Sequence, residues 1–142
     1  RKRVIIILLI FAIVQELNIF LIFQTFVRYP EPFQSSFVKA SHKCLDELNI
    51  DPDIVKMGHD TEYMAKSEDI KNLFYCTMTD GGIAYKTGHI DLKKAAEYFP
   101  KNVHEVIEEC DKENGKDAAE TAIKIGICFH KNSPVHYSMY PM

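Results

Sequence analysis

Tryptophan is absent from the chain, and glycine and proline occur only six times each in 142 residues. So few of either excludes collagen-like and low-complexity chains, and 46% hydrophobic with 26% charged residues is the composition of one globular domain. Charge of one sign is lacking too. A formal net charge of −3 at pH 7 gives no reason to expect a nucleic-acid partner. No Gly-x-Ser-x-Gly, no His-Glu-x-x-His and no phosphate loop occurs, so no catalytic residue is proposed and the chain does not read as an enzyme. No Cys-x2–4-Cys pair exists, and none of the six histidines stands at finger spacing from a cysteine, which argues against a zinc site. The stretch from Asp80 to Asp91 fails as a calcium loop: Gly81 and Gly82 fall where oxygen ligands and spacers should alternate, and no Glu closes it. No metal and no cofactor is expected.

What the chain does have is a strongly apolar start. Arg1, Lys2 and Arg3 precede an unbroken apolar run over residues 4–14, the n- and h-region pattern of a secretory signal peptide. After Gln15-Glu16-Leu17-Asn18 the chain turns apolar again through residue 27, with no clean small-x-small cleavage site. Residues 4–27 as one unit are long enough to span a bilayer, but Glu16 at mid-span costs about 2.5–3.5 kcal/mol. Residues 1–27 therefore read as a secretory signal peptide cut somewhere in 14–36, with residues 28–142 as the secreted, extracellular domain. An uncleaved anchor is the alternative.

Secretion decides how the cysteines are read. Cys44, Cys76, Cys110 and Cys128 are an even number in a small domain, which in an oxidising compartment implies two disulfides. Four cysteines allow three connectivities, and spacing alone does not choose among them. The pairs that join sequential helices, Cys44–Cys76 and Cys110–Cys128, are favoured; loop entropy makes them worth about 3.5–4 and about 3 kcal/mol.

The periodicity is helical throughout. Phe37, Ala40, Cys44, Leu45 and Leu48 form one stripe ending before Asp51-Pro52. Ile54, Val55 and Met57 suggest a brief helix stopping at Gly58, and residues 59–66 read as an irregular connector. Ser67 caps a helix whose Ile70, Leu73, Phe74, Thr77 and Met78 share a face, closed by Asp80-Gly81-Gly82. Asp91 caps the helix carrying Leu92, Ala95, Ala96 and Phe99, which Pro100 ends. Val103, Val106, Ile107 and Cys110 follow at the same spacing. The last helix, from Ala118 to Phe129, is apolar nearly all round and belongs in the middle of the fold. The predicted architecture is all-α: a compact bundle of about six short helices around an apolar cavity, with two disulfides.

From about Phe33 onward these residues resemble the insect odorant-binding proteins of the pheromone-binding and general odorant-binding (PBP/GOBP) superfamily, most closely their minus-C, four-cysteine subgroup. Cys44, Cys76, Cys110 and Cys128 fit the first, third, fourth and sixth of the family's six cysteines. Asn72 and Ala119 stand where the second and fifth, a disulfide pair, would be. Asp80-Gly81-Gly82-Ile83 with Thr87-Gly88-His89-Ile90-Asp91 looks like the family's glycine-punctuated loop, and Asp117-Ala118-Ala119-Glu120-Thr121-Ala122 like the start of its last helix. The resemblance implies the pairing Cys44–Cys76 and Cys110–Cys128, with a looser cavity wall where the middle bridge is missing. It implies a secreted carrier for small hydrophobic molecules such as odorants or pheromones, with a membrane chemoreceptor as a possible partner, no nucleic acid, and either a monomer or a weak homodimer.

A carrier needs a concave apolar lining with a few polar groups. The inward-facing candidates are Phe37, Met57, Met64, Phe74, Met78, Leu92, Phe99, Val106, Ile123 and Ile127, each of which could equally be ordinary core. Met64 and Met78 lean toward the pocket because a flexible thioether adapts to varied ligands. The tail over residues 134–142 is apolar and aromatic, and Tyr137 and Tyr140 are expected to close the pocket over the ligand. His42, His59, His89, His104, His130 and His136 read first as exposed surface histidines; the candidates for an acid response are His130 and His136, which flank the tail junction. The competing function is an extracellular, disulfide-stabilised helical signalling protein, which would have a filled core.

Overall fold

The computed structural model describes residues 2–10 and 25–140. Residues 2–10 are helical, with the apolar side chains from Val4 to Ile10 exposed. Among the described residues no helix is long and apolar enough to cross a membrane. Residues 11–24 of the expected signal peptide, with positions 14–24 of its cleavage window, lie outside the described residues.

The domain is a bundle of short helices with no named strand among the described residues: α1 (Phe33–Leu48), α2 (Thr61–Lys66), α3 (Glu68–Asp80), α4 (Leu92–Tyr98), α5 (His104–Cys110) and α6 (Ala118–Asn132). Short 3-10 helices at Pro52–Met57 and Lys101–Val103 precede α2 and α5. The starts follow the side chains that cap them. Ser67 Oγ accepts from the Ile70 N–H, Asp91 from Lys94 and Asp117 from Glu120, each satisfying a backbone donor that the first helical turn leaves open. The same chemistry builds a helix where a connector was expected. Asp60 accepts from the Glu62 and Tyr63 N–H groups at 3.0 and 3.1 Å, so residues 61–66 wind into α2 rather than running irregularly. That helix is too short to show an apolar period. Its capping aspartate was the only local sign of it.

As the all-round apolar pattern requires, α6 is central: α2, α3 and α5 all pack on it, while α1 packs on α3. Gly126 permits its closest approach. A Cβ there would lie 2.6 Å from Phe74 Cζ, so the Phe74 ring of α3 rests directly on the α6 backbone. Gly88 does a related job with φ +90°, a conformation few other residues adopt, in the loop between α3 and α4. A side chain there would collide with the Ala118 carbonyl at the head of α6. Two disulfides tie the bundle, Cys44–Cys76 from α1 to α3 and Cys110–Cys128 from α5 to α6, with Cα separations of 6.0 and 5.5 Å. Both favoured cysteine pairs are therefore correct, although α2 intervenes between the two helices that Cys44–Cys76 joins.

The ends of the domain meet. The Val27 N–H donates to the His136 carbonyl at 2.9 Å, and the Ser138 N–H donates to the Val27 carbonyl at 3.0 Å. Phe26 packs on the His59 ring at 4.7 Å and near His136 at 6.3 Å. Gln34 is buried at the start of α1, where its Oε1 accepts from the Tyr29 N–H and fixes the approaching chain.

Candidate functional site

Two cavities lie side by side inside the bundle. The outer one, about 60 Å³, sits beneath the C-terminal tail and is bounded by Ser41 of α1, Thr77 of α3, His59, and Tyr137, Ser138 and Met139 of the tail. The inner one, about 50 Å³, is lined by Phe33, Met78, Ile83, Ile90, Phe99, Ile107, Ile125 and Phe129. Tyr29, Phe37, Phe74 and His130 border both and form the wall between them. Each void is far below the roughly 300 Å³ at which drug-sized pockets begin, so an organic guest must push side chains aside to enter.

The wall is aromatic because three elements each deliver a ring to the same place. Tyr29 stacks on Tyr137 with centroids 5.0 Å apart and an interplanar angle of 15°, and Tyr137 stacks in turn near Phe129 at 6.2 Å and 10°. Tyr29 also meets Phe33 edge-on at 5.3 Å and Phe99 edge-on at 6.1 Å, the offset and T-shaped geometries that ring quadrupoles favour. The tail and the segment before α1 are thus part of the cavity boundary.

No Asp, Glu, Lys or Arg lines either cavity. In the outer one, the Ser41 and Thr77 hydroxyls face each other at 3.4 Å. Burial, with His59 and His136 adding positive potential nearby, pushes the His130 imidazole down to about 4, so it is neutral at physiological pH. Burial, with Tyr137 beside it, raises the Tyr29 phenol above its ordinary value, and burial raises Tyr137 as well. Tyr29, Tyr137 and His130 are thus all neutral at this boundary. It suits an apolar guest with hydrogen-bonding capacity.

Of the residues expected to face inward, Phe37 and Phe74 border both cavities, Met78 and Phe99 the inner one, and Tyr137 the outer one. The others are placed elsewhere. Met64, 1% exposed, packs with Ile70 and Ile123 in a separate core between α2 and α6, and Ile127 leans on that same cluster. Met57 and Leu92 are 37% and 38% exposed, because the short helices carrying them turn only one side to the bundle. Val106 packs beside the main core and borders a shallow surface groove with Glu105 and Glu109. Tyr140 is 48% exposed, with the Lys56 ammonium 5.7 Å from its ring, and does not close the pocket. Of the two tail tyrosines only Tyr137 turns inward.

Tyr29, Phe33, Ser41, Thr77, Ile83, Ile90 and Ile125 were not among the inward candidates. Phe33 and Ser41 lie along α1 at helical spacing from Phe37, a signal that could have found them. Tyr29 belongs to no periodic segment. Only the pairing of chain ends brings it in.

A model of the PBP/GOBP family matches residues 27–132. No curated protein and no solved structure matches the chain.

Proposed function

The chain belongs to the PBP/GOBP family, whose members are small-ligand carriers rather than enzymes, and from that premise we propose that it is a secreted carrier of small hydrophobic molecules. The observation that carries this reading is the pair of adjoining cavities, lined by no Asp, Glu, Lys or Arg, on either side of an aromatic wall. Two disulfide-linked helix pairs hold the frame around the cavities. Burying a guest's hydrocarbon releases roughly 0.8 kcal/mol per CH2, enough for a modest aliphatic molecule to bind at micromolar concentration, about −8 kcal/mol. No Asp, Glu, Lys or Arg in the lining opposes its entry. Secretion fits the disulfides and the family.

The competing reading, a signalling bundle, calls for a filled core, and two voids in contact along the centre of the bundle weigh against it. Uptake of the fluorescent apolar probe N-phenylnaphthylamine by the oxidised protein tests the proposal. A blue-shifted, saturable signal at micromolar probe, displaced by volatile alcohols or esters, is the expected result. A folded, disulfide-intact sample that takes up no probe returns the chain to the signalling reading.

A further inference from the structure

The two disulfides stand in different chemistry. At Cys44–Cys76 the Asp80 Oδ2 atom lies 3.7 Å from Cys44 Sγ and 3.9 Å from Cys76 Sγ, and Cys44 is fully buried. A thiolate approaching either sulfur meets that carboxylate. The exposed Lys43 ammonium, 3.3 Å from the same oxygen, offsets its charge only in part. Cys110 and Cys128 instead border an open surface groove of about 500 Å³ between α5 and α6, and Cys128 is half-buried. There the neighbour of the sulfur is an amide. Asn132 Nδ2 lies 3.8 Å from Cys128 Sγ, oriented by donating to the Cys128 carbonyl at 2.8 Å. Such a donor favours negative charge growing on sulfur, whereas a carboxylate opposes it. Cys110 also borders the inner cavity, so this disulfide is the partition between that cavity and the groove.

We infer that Cys110–Cys128 is a thiol-exchange site, open to uncharged and cationic small thiols, and that Cys44–Cys76 is protected from the same reagents. In the reaction a thiolate attacks Cys128 Sγ and forms a mixed disulfide as the S–S bond breaks. Cys110 leaves as a thiolate and takes a proton from water. A second thiolate attacks the outer sulfur of the adduct and releases Cys128, so two small thiols are oxidised to one disulfide and the protein gains two thiols. The groove sets the charge preference: Glu105 and Glu109 line it and no Lys or Arg does, so an anionic thiol is repelled. Glu109 also holds the Lys112 ammonium at 2.7 Å, which leaves Glu105 with most of that effect. Opening the bond removes the covalent link of α5 to α6 beside the inner cavity. The Asp111 carboxylate still accepts from the Ile90 N–H at 2.7 Å, so α5 loosens without coming away.

The test treats the full oxidised chain with cysteamine, mercaptoethanol or mercaptoethanesulfonate at equal thiolate concentration, traps free cysteines with iodoacetamide at early times, and maps them by peptide mass. Cys110 and Cys128 are expected to be trapped about tenfold faster than Cys44 and Cys76. Cysteamine is expected to act about fivefold faster than the sulfonate, a gap that narrows in high salt and in Glu105→Gln, a change at an exposed position. Equal rates at the two disulfides, or Cys44–Cys76 opening first, overturns the inference. Equal rates for the cationic and anionic thiols overturns the charge preference, and both results come from the wild-type chain whether or not the variant folds. In the form with only Cys110–Cys128 open, the backbone amides of α5 are expected to exchange hydrogen faster while those of α1 and α3 hold. Unchanged α5 amides would show that the bond does not brace the cavity wall.

Discussion

His130 makes the stability of the fold depend on acid. Its imidazole has an ordinary value of 6.5 in the unfolded chain and about 4 in the folded one, lowered by burial and then by His59 and His136. Below pH 6.5 the unfolded chain therefore takes up a proton that the folded chain refuses. The stability present in full above 6.5 is lost as pH falls toward 4, and a shift of that size corresponds to an order of 3 kcal/mol. Urea unfolding followed by circular dichroism should show a midpoint that drops between neutral pH and a pH of about 4.5. The drop should shrink in His130→Gln. An equal drop in both proteins would place the acid sensitivity at another group.

Among the elements, the clasp between the two chain ends matters most to the site. One parallel bridge, Val27 with Tyr137, holds the tail over the outer cavity and brings Tyr29 and Tyr137 into their stack. Neither segment has a helix of its own, so the pairing rests on two backbone hydrogen bonds and ring contacts. Val27→Pro removes the N–H that donates to the His136 carbonyl. That variant is expected to lose about 1 kcal/mol of stability and to become sensitive to chymotrypsin at Tyr137 and Tyr140. A tail that resists the protease as well as wild type would show that the rings alone hold it.

For the whole molecule, the clasp bears on where the proposed leader could be removed. Phe26 packs on His59 and Val27 pairs with the tail, so both are part of the fold even though they end the apolar run read as a signal peptide. Processing before Phe26 keeps the cavity boundary, whereas processing after Tyr29 removes a ring from the wall. Intact mass of the secreted protein should give an N-terminus at or before Phe26, and one beyond Tyr29 would contradict the site as described. The two disulfides supply the rigidity the rest of the molecule relies on. By loop entropy they are worth about 3.5–4 and about 3 kcal/mol, a large share of the 5–15 kcal/mol typical of a domain.

The amino-acid sequence determined the helices, because caps and apolar stripes are local and act within a few residues, whereas it left three pairings of the four cysteines open. Ser67, Asp91 and Asp117 announced the starts of α3, α4 and α6, and the all-round apolar pattern placed α6 at the centre. The exception, α2, is a single short turn of helix in which only Asp60 speaks for the structure. The lining of the cavities was only partly legible for a different reason. A helical stripe turns Phe74 inward and apolar character suggests the same for Met64 and Ile123, but neither says which interior they reach. Tertiary packing sends Phe74 to the wall between two voids and closes Met64 and Ile123 into a solid contact between α2 and α6. It also recruits Tyr29 and His130 from segments distant in the chain, since a cavity is the space left between elements and belongs to no one of them.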